Sequence, residues 1–241
     1  MVINLEKATK DVKIVLEKKE IFGEKANIKV VVDHSGSTGD LFRHGVVQAT
    51  LERILAVGLN MDSNQSIEVY AFNGNVTYIG EANENNIENF TKDVFLKKVR
   101  VEGGTRYSPA MQAVVKDVEA EPKPQGFFSK LLGKKEAPVI DKDLPTFVFF
   151  ITDGDNSDKN ITESYIKEIS TKPIFWQFIG IGYSSMAFLD KLDKMEGRTV
   201  DNANFIRAKN IQDMTNSELY EEILNEYPLW LKEARKLKIT K

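Results

Sequence analysis

A chain of 241 residues, 41% hydrophobic and 29% charged, has the make-up of a globular protein able to bury one sizeable core. A net charge of -3 offers no footprint for nucleic acid and no polybasic membrane patch, and the lack of cysteine excludes disulfides, thiolate metal sites and cysteine nucleophiles. The first residues lack the apolar core of a signal peptide and no run approaches the ~20 apolar residues of a membrane span, so a cytoplasmic protein without a direct span is expected.

In chain order, Leu5, Ala8, Val12, Val15 and Leu16 form a helical stripe over residues 4–19. That stripe predicts an N-terminal amphipathic segment (1–25) ahead of a single domain (26–241), with a strand over Val12–Leu16 as the alternative. Ile28-Lys29-Val30-Val31-Val32 reads as a buried strand ending at Asp33. Val47, Leu51, Ile54, Leu55 and Gly58 share one face of a following helix. Strands at 66–72 and 75–79 meet at Asn73-Gly74, a hairpin turn signal. A helix is expected near 86–97, with the lysines of 92–100 on a solvated face. Another begins at Ser108-Pro109, read as an N-cap followed by proline at the first helical position.

Residues 119–143 break the pattern, with Pro122, Pro124 and Pro138 and an amphipathic island at 126–135. They read as a surface insertion, with a partner-binding or membrane-touching tab as the other possibility. Strand 145–152, a helix near 161–170, a buried strand at 173–182, a short helix at 186–192 and an edge strand at 203–207 follow. Helices at about 216–238 are split by Pro228, and Trp176 and Trp230 are expected in the core. Strands alternating with helices predict a doubly wound α/β fold: a mostly parallel sheet flanked by helices, with one antiparallel edge hairpin.

Three loops carry the chemistry. Asp33-His34-Ser35-Gly36-Ser37 and Thr152-Asp153-Gly154 each follow an apolar strand, where ligands bind at the carboxyl ends of a parallel sheet. Gly103-Gly104-Thr105 supplies a further hydroxyl. Asp33, Ser35, Ser37, Thr105 and Asp153 are all hard oxygen donors, suited to a divalent cation: Mg²⁺ first, with Ca²⁺ or Mn²⁺ possible. Only two of the five carry charge, so an outside carboxylate would complete the coordination. Arg106 and Tyr107, beside Thr105, are candidate partner contacts. His34 points away from the ligands and is expected on the surface near the docking face. Asp155 and Asp158 read as a solvated turn and helix start.

The triplet resembles the metal-ion-dependent adhesion site of von Willebrand factor A (vWA) domains, and these residues resemble the vWA region of TerF-type tellurite-resistance proteins. The resemblance rests on 33–37, Gly103–Pro109 and Phe150–Gly154, and extends to Lys172–Phe178, Val200–Phe205 and Leu219–Leu231. It implies a vWA (Rossmann-like) fold and a metal held directly by Ser35, Ser37 and Thr105, with Asp33 and Asp153 acting directly or through water. It also implies a stress-response or tellurite-resistance setting, with related proteins among the partners. His34 and Thr38 depart from the usual apolar residue and Met, at positions that are not ligands. The expected function is metal-dependent protein binding without turnover. One alternative is a Mg²⁺-dependent phosphohydrolase, although Ser35 stands where such enzymes carry an acid two residues after the first Asp. The other is a scaffold acting through 119–143.

Overall fold

The computed structural model describes residues 3–120 and 143–241. The island at 126–135, and with it most of the 119–143 insertion, lies outside the described residues. Helix α1 (Leu5–Lys18) precedes β1 (Asn27–Asp33); α2 (Gly39–Arg43) and α3 (Val46–Met61) lead to the hairpin β2 (Ser66–Phe72) and β3 (Val76–Asn83). After α4 (Leu96–Lys98) and α5 (Tyr107–Glu119) come β4 (Thr146–Thr152), α6 (Lys159–Glu168), β5 (Ile174–Ile181), α7 (Ala187–Asp193) and β6 (Ala203–Ala208). The C-terminal pair is α8 (Asn216–Ile223) and α9 (Tyr227–Lys236), with Pro228 in the first turn of α9.

The strands form one sheet in the order β3-β2-β1-β4-β5-β6, with β2 and β3 antiparallel and every other pair parallel. Its central strands are apolar on both faces because helices cover both. Val30, Val32, Phe147, Phe149 and Ile179 pack with α1, α3, α8 and α9, while Val31, Val148, Phe150 and Phe178 pack with α5, α6 and α7. The stripe of α3 holds as expected: Leu51, Ile54 and Leu55 are buried, at about 2 kcal/mol each. The N-terminal stripe is a helix, not a strand, and buries Ala8, Val12, Val15 and Leu16 against the same core. Trp176 and Trp230 are both core residues.

Three expectations need correction. Strand β3 runs to Asn83, past the expected end at 79. The helix expected near 86–97 is a 3₁₀ turn (Ile87–Asn89), a π-helical segment (Thr91–Phe95) and α4. The widened π turn suits Phe90 and Phe95, five residues apart and both fully buried. Helix α5 begins at Tyr107, so Ser108 is its second residue and not its cap.

Candidate metal centre

Parallel pairing of β1 with β4 sets Val32 opposite Ile151, so Asp33 stands level with Thr152 and Asp153 extends one residue further. Both carboxylates therefore face the same edge of the sheet, as expected. A chain of short contacts then joins the first and third loops. The Ser35 amide donates to Asp33 Oδ1 at 2.8 Å and Thr152 Oγ1 donates to Asp33 Oδ2 at 2.8 Å. Ser35 Oγ lies 3.3 Å from Ser37 Oγ, which donates to Asp153 Oδ1 at 2.9 Å. Asp33 and Ser35 are buried, Asp153 is half-buried and Ser37 is exposed, so the cluster opens to solvent through Ser37.

The second loop is held beside them through its backbone. The Gly36 amide donates to the Gly103 carbonyl at 3.1 Å, and the Glu102 amide to that of His34 at 2.9 Å. The hairpin turn supports it from the other side. Asn73 Nδ2 donates to the Glu102 carbonyl at 2.9 Å, and the Asn73 carbonyl accepts from the Arg106 amide at 2.9 Å. Gly103 has φ +82°, which favours glycine, and a Cβ there would crowd Asn73 Nδ2 at 3.0 Å. Thr105 is half-buried and its carbonyl accepts from Ser157.

Burial pushes the Asp33 carboxyl up to about 6; hydrogen bonds from Ser35 and Thr152 oppose the rise and the charge of Asp153 adds to it. Asp153 is raised by burial against its bond from Ser37. Among the described residues, no lysine or arginine pairs with either carboxylate. Nor do three or more His, Asp or Glu side chains converge there as a metal cage. Two neighbouring carboxylates, one buried, joined by hydroxyls and lacking a basic partner, leave negative charge that a hard cation would neutralise. The residues present thus fit a divalent ion that keeps part of its water shell.

Among the candidate partner contacts, only Arg106 is exposed. Tyr107 is fully buried: its hydroxyl donates to the Gly154 carbonyl and lies 3.2 Å from Thr152 Oγ1, so it underpins the site from below. His34 is also buried, not on the surface, with Nδ1 2.7 Å from the Arg100 carbonyl and its ring edge-on to Phe95. A His between two ligand positions turns inward because the pleat sends alternate side chains to opposite sides. Burial lowers its pKa.

The third loop differs from expectation as well. Asp155 accepts from the Phe188 amide at 3.1 Å and pairs with Lys159. Asp158 is buried and accepts from Tyr107, Ser108 and Asn156. Burial alone would raise its pKa, but those bonds outweigh it and hold the carboxyl below its ordinary range. Thr152 and Asp158 are the site residues that sequence reasoning missed. Thr152 reads only as the last residue of a buried strand, and Asp158 carries little local signal because the α5 amides it accepts from lie 50 and 51 residues away.

A family model described as the vWA found in the TerF C terminus matches residues 25–240. The chain is a vWA domain of the TerF-like family. This vWA-TerF-like chain is 34% identical over 235 residues to YcbR, an uncharacterised protein of Bacillus subtilis (strain 168), covering 97% of this chain and 88% of that one. Among solved structures it is similar to proximal thread matrix protein 1 of the mussel byssus, seen with a zinc-occupied adhesion-site motif (TM-score 0.51, 17% identity, 85% of this chain and 48% of that one). It is also similar to the SpRpn10 vWA domain (TM-score 0.50, 12% identity, 81% of this chain and 93% of that one). A von Willebrand factor type A protein of Catenulispora acidiphila is a third (TM-score 0.51, 15% identity, 82% of this chain and 42% of that one). At these identities the likeness to solved structures is one of fold. The chain spans less than half the length of the mussel and Catenulispora proteins. Membership of the vWA family supports a role as a protein-interaction module. Among the described residues, no helix is long and apolar enough to cross a membrane.

Proposed function

We propose that this vWA-TerF-like chain is a divalent-cation-dependent protein-binding module that works by docking an acidic side chain of its partner, without turnover. The observation that carries the reading is the paired Asp33 and Asp153, bridged by Ser35 and Ser37 and without a basic partner among the described residues. Ser35, Ser37 and Thr105 would hold the ion, with Asp33 and Asp153 binding directly or through water. The bound cation would supply a Lewis-acidic position for an anionic oxygen from outside.

The chain's own residues do the rest. Thr152 and the Ser35 amide fix both oxygens of Asp33, and Tyr107 fixes Thr152 in turn. Ser37 and Arg106, both exposed, stand at the mouth where an acidic side chain would arrive. Mg²⁺ is the favoured ion because all donors are oxygens and carboxylates are few. A phosphohydrolase of the haloacid-dehalogenase-like kind would need an acid two residues after Asp33; Ser35 occupies that position and its hydroxyl faces Ser37. The likeness to the TerF-type vWA favours a tellurite-resistance or stress-response assembly as the setting, and a cytoplasmic location is proposed with it.

The test is calorimetric titration of chelator-stripped protein with Mg²⁺, Mn²⁺ and Ca²⁺, with and without acetate as a carboxylate probe, beside Asp153→Ala. Saturable one-site binding lost in the variant is the expected result. Heat-silent titrations with all three ions, in the presence of acetate as well, would overturn the reading.

A further inference from the structure

We propose that Asp158 is a positioning residue of the metal centre, stapling the second site loop to the third and thereby fixing the backbone of Thr105 relative to the loop that carries Asp153. This rests on the metal-centre reading above.

The need for the staple begins in the sequence of α5. The first amides of a helix have no partner within it, and Arg106 does not cap them with its side chain. Pro109 brings no amide of its own. Tyr107 and Ser108 are therefore the first donors to satisfy, and the third loop satisfies both. Asp158 Oδ1 accepts from the Tyr107 amide at 3.0 Å, and Oδ2 from the Ser108 amide at 2.9 Å and the Ser108 hydroxyl at 2.6 Å. Ser157 adds two bonds to the Thr105 carbonyl, from its amide at 2.9 Å and its hydroxyl at 3.0 Å. Asn156 steadies the carboxylate from behind, donating to Asp158 Oδ1 at 2.6 Å and to Thr162 Oγ1 at 2.9 Å.

The geometry gives these bonds a consequence beyond capping. Thr105 is preceded by Gly103 and Gly104, which leave the backbone on that side permissive. Its position is set by its anchors: the Gly103 carbonyl and the Arg106 amide, held by Gly36 and Asn73, and the Thr105 carbonyl and the amides of 107 and 108, held by the third loop. The anchor belongs to the same loop as Asp153. Asp158 touches none of the five oxygen donors, yet it determines how the second loop's donor stands relative to the third loop's.

A helix cap alone would stabilise the fold without favouring one ion over another; a positioning residue should alter ion selectivity. Mg²⁺ demands near-octahedral ligands at about 2.0–2.1 Å, whereas Ca²⁺ tolerates irregular shells at about 2.3–2.6 Å. Loosening Thr105 against Asp153 should therefore weaken Mg²⁺ far more than Ca²⁺.

The experiment compares the full chain with its Asp158→Ala and Ser157→Ala variants, by Mg²⁺ and Ca²⁺ titration and by hydrogen exchange in chelator. For Asp158→Ala we expect Mg²⁺ to bind at least about 10-fold more weakly, as for other residues that orient metal ligands, with Ca²⁺ changed by no more than about 3-fold. The amides of 103–108 should exchange faster while β1 and β4 keep their protection. Equal losses for both ions, or unchanged Mg²⁺ binding, would overturn the proposal. If Asp158→Ala does not fold, Ser157→Ala decides: a drop in the Mg²⁺-to-Ca²⁺ affinity ratio supports positioning, and an unchanged ratio refutes it. If the wild-type chain binds neither ion, the metal-centre reading has failed and exchange in chelator still judges the staple. Faster exchange confined to 103–108 would then reduce Asp158 to a loop staple with no metal to position, and unaltered exchange would remove that role as well.

Discussion

Replacing Asp33 by Asn should make the metal-free protein more stable while abolishing its metal binding. The carboxyl lies buried at the end of β1 and titrates at about 6, against an ordinary value of 3.8. That displacement is about 2 pH units, and each is worth about 1.4 kcal/mol, so ionised Asp33 costs the metal-free fold about 3 kcal/mol. The sign follows from linkage: a carboxyl raised on folding favours the fold below pH 3.8, and that contribution is lost as the pH rises through about 6. Asn keeps the shape and the partners, since its Oδ1 can accept from the Ser35 amide and its Nδ2 can donate to Thr152 Oγ1. Burying a neutral amide still has a cost, so a gain of about 1–2 kcal/mol is the working figure. For a chain of this size that corresponds to a rise in melting temperature of about 2–8 °C. Differential scanning calorimetry with EDTA at pH 7.5 should show that rise, and at pH 4, where wild-type Asp33 is largely protonated in the fold, the rise should vanish or reverse because the cost of the buried amide remains. Adding Mg²⁺ should raise the wild-type melting temperature and leave that of the variant unchanged. A variant no more stable than wild type at pH 7.5, or one equally stabilised at both pH values, would refute the electrostatic account of this site.

Other outcomes follow from the same geometry. On the proposed reading a proton would compete with the cation at Asp33, so apparent Mg²⁺ affinity should fall by up to about tenfold per pH unit below about 6 and level off above 7; titrations at pH 5, 6, 7 and 8 check this. Tyr107→Phe removes the hydroxyl that reaches Gly154 and Thr152, and should cost about 1–2 kcal/mol in urea unfolding, with weaker Mg²⁺ binding alongside. Gly58→Ala places a Cβ 2.8 Å from both Ile67 Cγ2 and the Ser66 carbonyl oxygen, where α3 crosses β2. Since backbone cannot yield there, a loss of about 1–3 kcal/mol is expected in chemical denaturation, with Mg²⁺ binding by the folded fraction retained.

Much of the architecture was legible in the residues themselves. Runs such as Phe147-Val148-Phe149-Phe150-Ile151 have no alternation, and only a strand covered on both faces accommodates that pattern. The stripes of α1 and α3 and the break at Pro228 were equally readable, because period and proline chemistry are local properties. The placing of Asp33 and Asp153 at one edge of the sheet was readable for a related reason: a residue at the end of a buried parallel strand is committed to that edge.

What the sequence concealed is of another kind. His34 and Tyr107 lie close to candidate ligand positions and read as surface residues, yet both turn inward, His34 to the Arg100 carbonyl and Tyr107 to Thr152. Ser108 carries the signature of a cap, but the capping carboxylate arrives from Asp158, across the sheet edge. The π turn at 91–95 obeys the demand that both Phe90 and Phe95 reach the core. By itself, then, the sequence determined the strands, the apolar faces and the oxygen-bearing residue types of the candidate site, since these depend on residue identity and short-range period. Only the tertiary structure decided which side chains close the site from below and which hold its loops in register, because those bonds join residues 45 to 51 positions apart and no local pattern encodes their meeting.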